Sequence, residues 1–326
     1  MKSRREAHEL LAAFPISDTE IVLICSQAVD TSMVEASLYR LKSGRVVRSV
    51  DIDDGRPERI LLGVDGGMTD QKLTIDRVTI TNFKSKEGIK AREAISPRFI
   101  QNVYSAMDLK VPHFSETFPY SSNLVGLHVS VECCTGCNGG IHDRNLVVLN
   151  HHLGGSWSGI WVQTGKTIEA PYPRWQKVLC AGGVVSELNG SMTIVDEGWM
   201  EIYKQSEIPH HPPPPLPIET VDLPAEHTAS LICKGLDGAW VQFQDVTIEE
   251  AVFIDAQERV RGAVNLPRTE ILFRDQSGGR SKACLYQPLG HKVTSGQQLQ
   301  QLRGFVHAEE PGVYVLLSDK EEDIVL

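Results

Sequence analysis

Hydrophobic and polar positions alternate in short runs along most of the chain, the period-two pattern of half-buried strands. Between residues 16 and 83 these runs read "EIVLICSQAV", "MVEASLYRL", "RVVRSVDID", "RILLGVDGG" and "KLTIDRVTITNF". Ser43-Gly44, Asp54-Gly55 and Asp65-Gly66 punctuate them as hairpin turns. The opening "MKSRREAHELLAAFPISD" reads instead as a short amphipathic helix ended by Pro15. Residues 84–118 read as helical or irregular around "SPRFIQNVYSAMDL", with Ser96 as a helix cap and Pro97 in the first turn.

Two later stretches repeat one another. "LVGLHVSV" (124–131) aligns with "LDGAWVQF" (236–243), and Gly126 and Gly238 each stand three residues before a valine. "LVVLNHHLGGSWSGIWV" (146–162) aligns with "EILFRDQSGGRSKACLY" (270–286), each crossing a Gly-Gly turn. "LCAGGVVSELNGSMTI" (179–194) aligns with "LRGFVHAEEPGVYVLL" (302–317). Each unit therefore predicts five strands: a long first strand with a glycine near its start, then two hairpins. That count and spacing suit a five-stranded Greek-key barrel of the OB type, although the periodicity also supports a small sandwich. Between the units lies "HHPPPPLP" (210–217), which must be extended polyproline and reads as a stiff connector, with a ligand for a proline-binding module as the alternative.

The expected architecture is mainly β: a β-rich N-terminal domain with one or two short helices (1–120), a first OB-like barrel (123–205), a proline-rich connector (206–228) and a second OB-like barrel (229–326). These units resemble the tandem OB-fold repeats of bacterial secreted nucleases and related cell-surface proteins. The resemblance rests on Gly126-Leu-His-Val129, Ser158-Gly159-Ile160-Trp161-Val162, Gly183-Val184-Val185-Ser186-Glu187, Gly190-Ser-Met-Thr193-Ile194 and "LDGAWVQFQDVTI" (236–248). It implies binding barrels and covers residues from about 123 onward. Nuclease activity does not transfer, because the family's catalytic domains lie outside these repeats. The family is usually exported, and no export signal is recognisable here.

Composition narrows the class. Of 326 residues, 41% are hydrophobic and 23% charged, as in a globular protein, and no window approaches eighteen consecutive apolar residues, so no membrane span is expected. Seven cysteines, an odd number, fit reduced thiols and a cytoplasmic location. The net charge of −10 opposes non-specific nucleic-acid binding. Its distribution is uneven, however. Arg259, Arg261, Arg268, Arg274, Arg280, Lys282, Lys292 and Arg303 lie in one segment with only Glu270 and Asp275 among them.

Candidate chemistry is sparse. "ECCTGCNGG" (132–140) holds the chain's one C-x-x-C, but Asn-Gly-Gly in its second half cannot open a helix as a thioredoxin-like redox motif requires. A zinc site would need Cys134 and Cys137 with His142, or with His151 or His152, and no second ligand pair follows. A hairpin with idle thiols is the preferred reading, so neither metal nor cofactor is expected. "DIDDG" (51–55) reads as a solvated turn rather than a calcium loop, because no glutamate closes it at the required spacing. No nucleophile elbow, P-loop or zincin motif occurs, so an enzyme is not expected. The remaining lead is single-stranded nucleic acid held across the second and third barrel strands by aromatic platforms and cations. In the second barrel these would be Phe273, Arg274, Arg280, Lys282, Tyr286 and Lys292; the first offers Trp157 and Trp161. A protein partner bound by a scaffold module is the rival.

Overall fold

The computed structural model describes residues 8–66, 73–110, 124–136, 146–165, 173–206, 209, 211–228, 230–255, 267–286 and 293–326, with the backbone alone at 257–258 and 264–265. The first region contributes β1 (Leu10–Ser17), β2 (Glu20–Cys25), β3 (Tyr39–Leu41), β4 (Val47–Ile52), β5 (Arg59–Val64), β6 (Ile75–Asp76), β7 (Val78–Lys84), β8 (Lys90–Ile95), β9 (Phe99–Ile100) and α1 (Ala106–Lys110). The sheets β1-β2-β5-β4 and β3-β7-β8 enclose one core that includes Leu23, Ile60, Leu62, Ile80 and Phe83.

Two expectations fail here. Leu10–Ser17 is not a helix but an antiparallel partner of Glu20–Cys25. Its run of apolar residues buries better in a sheet, and Pro15 is tolerated because β1 is an edge strand. Ser96 caps no helix. Its hydroxyl accepts from Val78 N–H at 2.9 Å and donates to Pro97 C=O, and the chain continues into β9. The short helix starts later, after Ser105, whose hydroxyl accepts from Asp108 N–H. Asp53, as expected, folds a turn by accepting from Gly55 N–H at 3.0 Å.

The second region supplies β10 (His128–Thr135), β11 (Leu146–Asn150), β12 (Gly159–Gln163), β13 (Lys177–Leu188), β14 (Ser191–Val195) and β15 (Glu201–Lys204). β10 pairs with β11 and β13, β11 with β12, β12 in parallel with β14, and β14 with β13, which closes a five-strand barrel. The β13–β14 hairpin turns through Asn189 and Gly190, both at positive φ (52° and 75°), as a two-residue type I′ turn requires.

The third region supplies β16 (Leu216–Pro217), α2 (Leu231–Leu236), β17 (Trp240–Ile254), β18 (Gln257–Glu258), β19 (Val264–Asn265), β20 (Arg268–Arg274), β21 (Arg280–Tyr286), β22 (Gln298–Glu310), β23 (Val313–Ser318) and β24 (Ile324–Val325). The ring order recurs. β17 pairs with β20 and β22, β20 with β21, β21 in parallel with β23, and β23 with β22. Gly126 and Gly238, aligned in sequence, hold the same backbone conformation at φ 81° and 78°.

The regions interlock. β6 and β9 extend the sheet of the first barrel, with Phe99 paired to His128. Phe14 and Val22 share a buried cluster with Leu179 and Ala181 of β13, and Arg59 pairs with Glu201 at 3.1 Å. The connector is no free spacer either. Leu216–Pro217 lies parallel to Val241–Gln242 as an edge strand.

Candidate functional site

Register decides which residues of β20 and β21 share a face. Arg268 is opposite Tyr286, Glu270 opposite Cys284, Leu272 opposite Lys282, and Arg274 opposite Arg280. These pairs line the outer face, while the alternate residues Ile271, Phe273, Ala283 and Leu285 face the barrel core. Arg274, Arg280 and Lys282 therefore gather at one end of the outer face. Both arginine side chains are 60% exposed.

Phe273 is a correction. It is buried edge-on to Phe243 at 5.0 Å, because it keeps the inward phase of Ile271. It cannot serve as a stacking platform. Tyr286 does point outward, but into a cluster that also holds Trp240, Cys284, Phe305, Val315 and Leu317 of the second barrel with Cys134, Val148, Trp161 and Trp175 of the first. This cluster is the seam between the barrels. It buries Tyr286 and leaves Trp161 1% exposed, so neither offers a ring face to a base.

The seam is also tied by polar groups. Trp161 Nε1–H donates to Asp237 Oδ1 and to Val306 C=O, each at 3.1 Å. Lys110 Nζ, fully buried, donates to Gly159 C=O at 2.8 Å and Asp237 C=O at 2.5 Å. Burial, opposed by Asp237, lowers the Lys110 pKa to about 8. Asn150 Nδ2–H donates to Gly238 C=O at 2.6 Å, and Ser191 Oγ–H donates to the Asp237 carboxylate. Gly159 and Gly238 touch backbone to backbone. A Cβ on Gly238 would lie 2.7 Å from the Gly159 carbonyl carbon. Arg174 spreads over Trp240 at 5.0 Å and pairs with Asp323 at 2.9 Å.

The outer face of β11–β12, built from Leu146, Val148, Asn150, Gly159, Trp161 and Gln163, is turned into this seam. Among the described residues, the equivalent face of the second barrel is covered only at its Cys284–Tyr286 end. Its open end is not purely cationic. Glu249, which sequence reasoning overlooked, pairs with Arg274 at 3.4 Å and Arg280 at 2.9 Å. Arg268 pairs with Glu270 at 2.5 Å. Burial, then Glu270, raises the Glu309 carboxyl pKa, against the pull of Arg268 and Lys282. The Glu249 pairs, whose arginine side chains are exposed, contribute about 0–1 kcal/mol each, so they leave Arg274 and Arg280 available to a competing anion, whereas Arg268 is buried.

Trp157 stands apart from this face. It has φ +65°, its N–H donates to Gly235 C=O at 2.5 Å, and its indole packs where a Cβ on Gly235 would sit. It lines a cleft of about 360 Å³ with Leu216, Ile218, Leu231, Ile232 and Leu236.

The adjacent cysteines point apart, Cys133 into the first barrel's core and Cys134 into the seam. Burial raises both thiol pKa values. Cys137, His142 and Lys292 lie outside the described residues. Among the described residues no group of three or more His, Cys, Asp or Glu side chains is placed to hold a metal, and no helix is long and apolar enough to cross a membrane.

No family model matches the chain, and no curated protein matches it in sequence. Solved structures with some likeness include the N-terminal part of the bacterial S-layer protein SbsC, at 8% identity over 61% of this chain and 44% of that one, with a TM-score of 0.27. The chain thus spans less than half of that fragment. Another is the p204 HINb domain, at 11% identity over 59% of this chain and 93% of that one, with a TM-score of 0.26. A third is fission yeast Pot1 with ssDNA, at 8% identity over 69% of this chain and 86% of that one, with a TM-score of 0.26. At these scores the likenesses bear no argument about fold or function.

Proposed function

We propose that both closed rings are OB-type barrels and that the chain is a non-catalytic binding protein, holding single-stranded nucleic acid on the open end of the β20–β21 face. One observation carries this reading: Arg274 and Arg280 face one another across the β20–β21 pair, and Lys282 lies two residues along the same outward surface, a cationic track of the kind that follows a single-strand backbone. With Phe273, Tyr286 and Trp161 buried, contact is to the backbone rather than by stacking, so little sequence preference is expected. Three phosphate contacts on a single strand give a log–log salt slope of about −2.

The test is a fluorescence-anisotropy titration of a labelled oligonucleotide at low and moderate salt, repeated with R274A/R280A/K282A. Binding that follows that slope and disappears in the triple variant supports the reading. Absence of binding at low salt removes it. A second reading, a protein-binding scaffold, is favoured by the exposed apolar side chains of Leu231 and Ile232 beside the Trp157 cleft.

A further inference from the structure

The proline run is held on the surface in a fixed orientation, and we propose that it is a docking ridge for a protein module whose aromatic-lined groove grips an extended proline helix. Polyproline II turns once every three residues. Pro212 and Pro215 therefore share one edge, Pro213 and Leu216 a second, and Pro214 and Pro217 a third. One of these edges, Pro214 and Pro217, is exposed at both of its residues. Pro213 is buried and Leu216 half-buried, and Pro212 is exposed with Pro215 half-buried.

The inward edge is anchored twice. Pro213 lies over Gly154, where an added Cβ would come within 3.1 Å of it. Beyond it, Leu216–Pro217 pairs with Val241–Gln242, and Ile218 N–H donates to Gln242 C=O at 3.0 Å. An outward proline edge is what an aromatic groove takes hold of. Folding has already ordered the segment, so a partner does not bear that entropy.

A separate observation points the same way. The cleft beside the ridge shares Leu216 and Ile218 with it and presents Leu231 and Ile232 at 50% and 61% exposure. Exposed apolar side chains next to a proline ridge extend the contact a module can make beyond the groove itself. Exposed Glu219 and half-buried Asp222 follow the ridge, so a fitting groove carries Lys or Arg at that end. The competing role for these prolines is to blunt a sheet edge, since proline offers no N–H to an incoming strand.

The experiment is biolayer interferometry of the full chain against immobilised SH3, WW and EVH1 domains. It includes the variants P214A/P217A, I232E and R274A/R280A/K282A, with melting temperature measured for each. The expected result is binding by at least one class with a Kd on the order of 100 μM or tighter, weakened about tenfold or more by P214A/P217A at unchanged melting temperature. I232E should weaken it too. The triple variant should bind as the parent does, which separates this site from the nucleic-acid face. No binding by any class, or full binding by P214A/P217A, overturns the proposal and leaves the prolines as an edge guard. Should P214A/P217A fail to fold, a free peptide of residues 209–219 should displace the chain, and absence of displacement overturns the proposal equally.

Discussion

The two rings share one pairing order, yet the same face meets opposite fates in them. On the first ring the outward residues of β11 and β12 are packed against the second barrel, and Trp161 is spent on Asp237 and Val306. On the second ring the outward residues of β20 and β21 are covered at Tyr286 and open at Arg274 and Arg280. A recurring ring order need not leave the same face open in both copies. One copy's face becomes the mount on which the other's is displayed.

The largest effect that tests this contrast is expected at Trp161. W161A should cost about 3–5 kcal/mol in urea unfolding, as truncation of a buried aromatic does, whereas L272A on the open face should cost about 1 kcal/mol or less. Equal costs would mean that the first ring's face is not sealed. K110M should rank beside it, at about 3–5 kcal/mol, because it removes the ammonium paired with the buried Asp237 carboxylate at 3.9 Å.

G159A comes next. Its Cβ would strike the Gly238 carbonyl, and an overpacked site of this kind costs about 1–3 kcal/mol. Tryptophan fluorescence would report the loosening, since Trp161, Trp175 and Trp240 all lie in the seam.

Acid should weaken the seam as well. Burial holds the His307 pKa down at about 4, against about 6.5 in the unfolded chain. Above pH 6.5 the imidazole is neutral in both states and its contribution is intact. As pH falls from there toward 4 only the unfolded state takes up the proton, so stability should fall by about 1.4 kcal/mol per pH unit from this residue. His128, also held at about 4 by burial, adds to the trend. In H307F the slope of unfolding free energy against pH should flatten; an unchanged slope would exclude His307 as its source. The smallest effect is expected at Glu249. E249Q frees Arg274 and Arg280 and should tighten oligonucleotide binding a few-fold, or leave it unchanged if those arginines touch no phosphate.

The ring was legible in the sequence because its determinants are local. Asn189-Gly190 marks a hairpin turn, and Gly126 and Gly238 mark equivalent points two residues before the first strand of each ring. Part of the candidate site was legible and overlooked. Phe273 and Arg274 are neighbours in sequence, but a strand sends neighbours to opposite faces, and the apolar phase of Ile271 and Phe273 already pointed inward. The fate of Tyr286 and Trp161 was not legible. Both face outward, and only the docking of one barrel on the other buries them. Pro15 misled for a similar reason, since its place in an edge strand depends on a partner that local pattern does not name.

Lys110 also sets a timetable. Its ammonium is satisfied by Gly159 and by Asp237, the latter 127 residues further along the chain. At bacterial or eukaryotic ribosome speeds that interval takes about 6–25 s. During it the first region and the growing first barrel must keep this lysine hydrated and the seam face bare. The nascent chain therefore carries an open, aromatic-bearing surface until the second barrel arrives, and that waiting period is when a chaperone would find it.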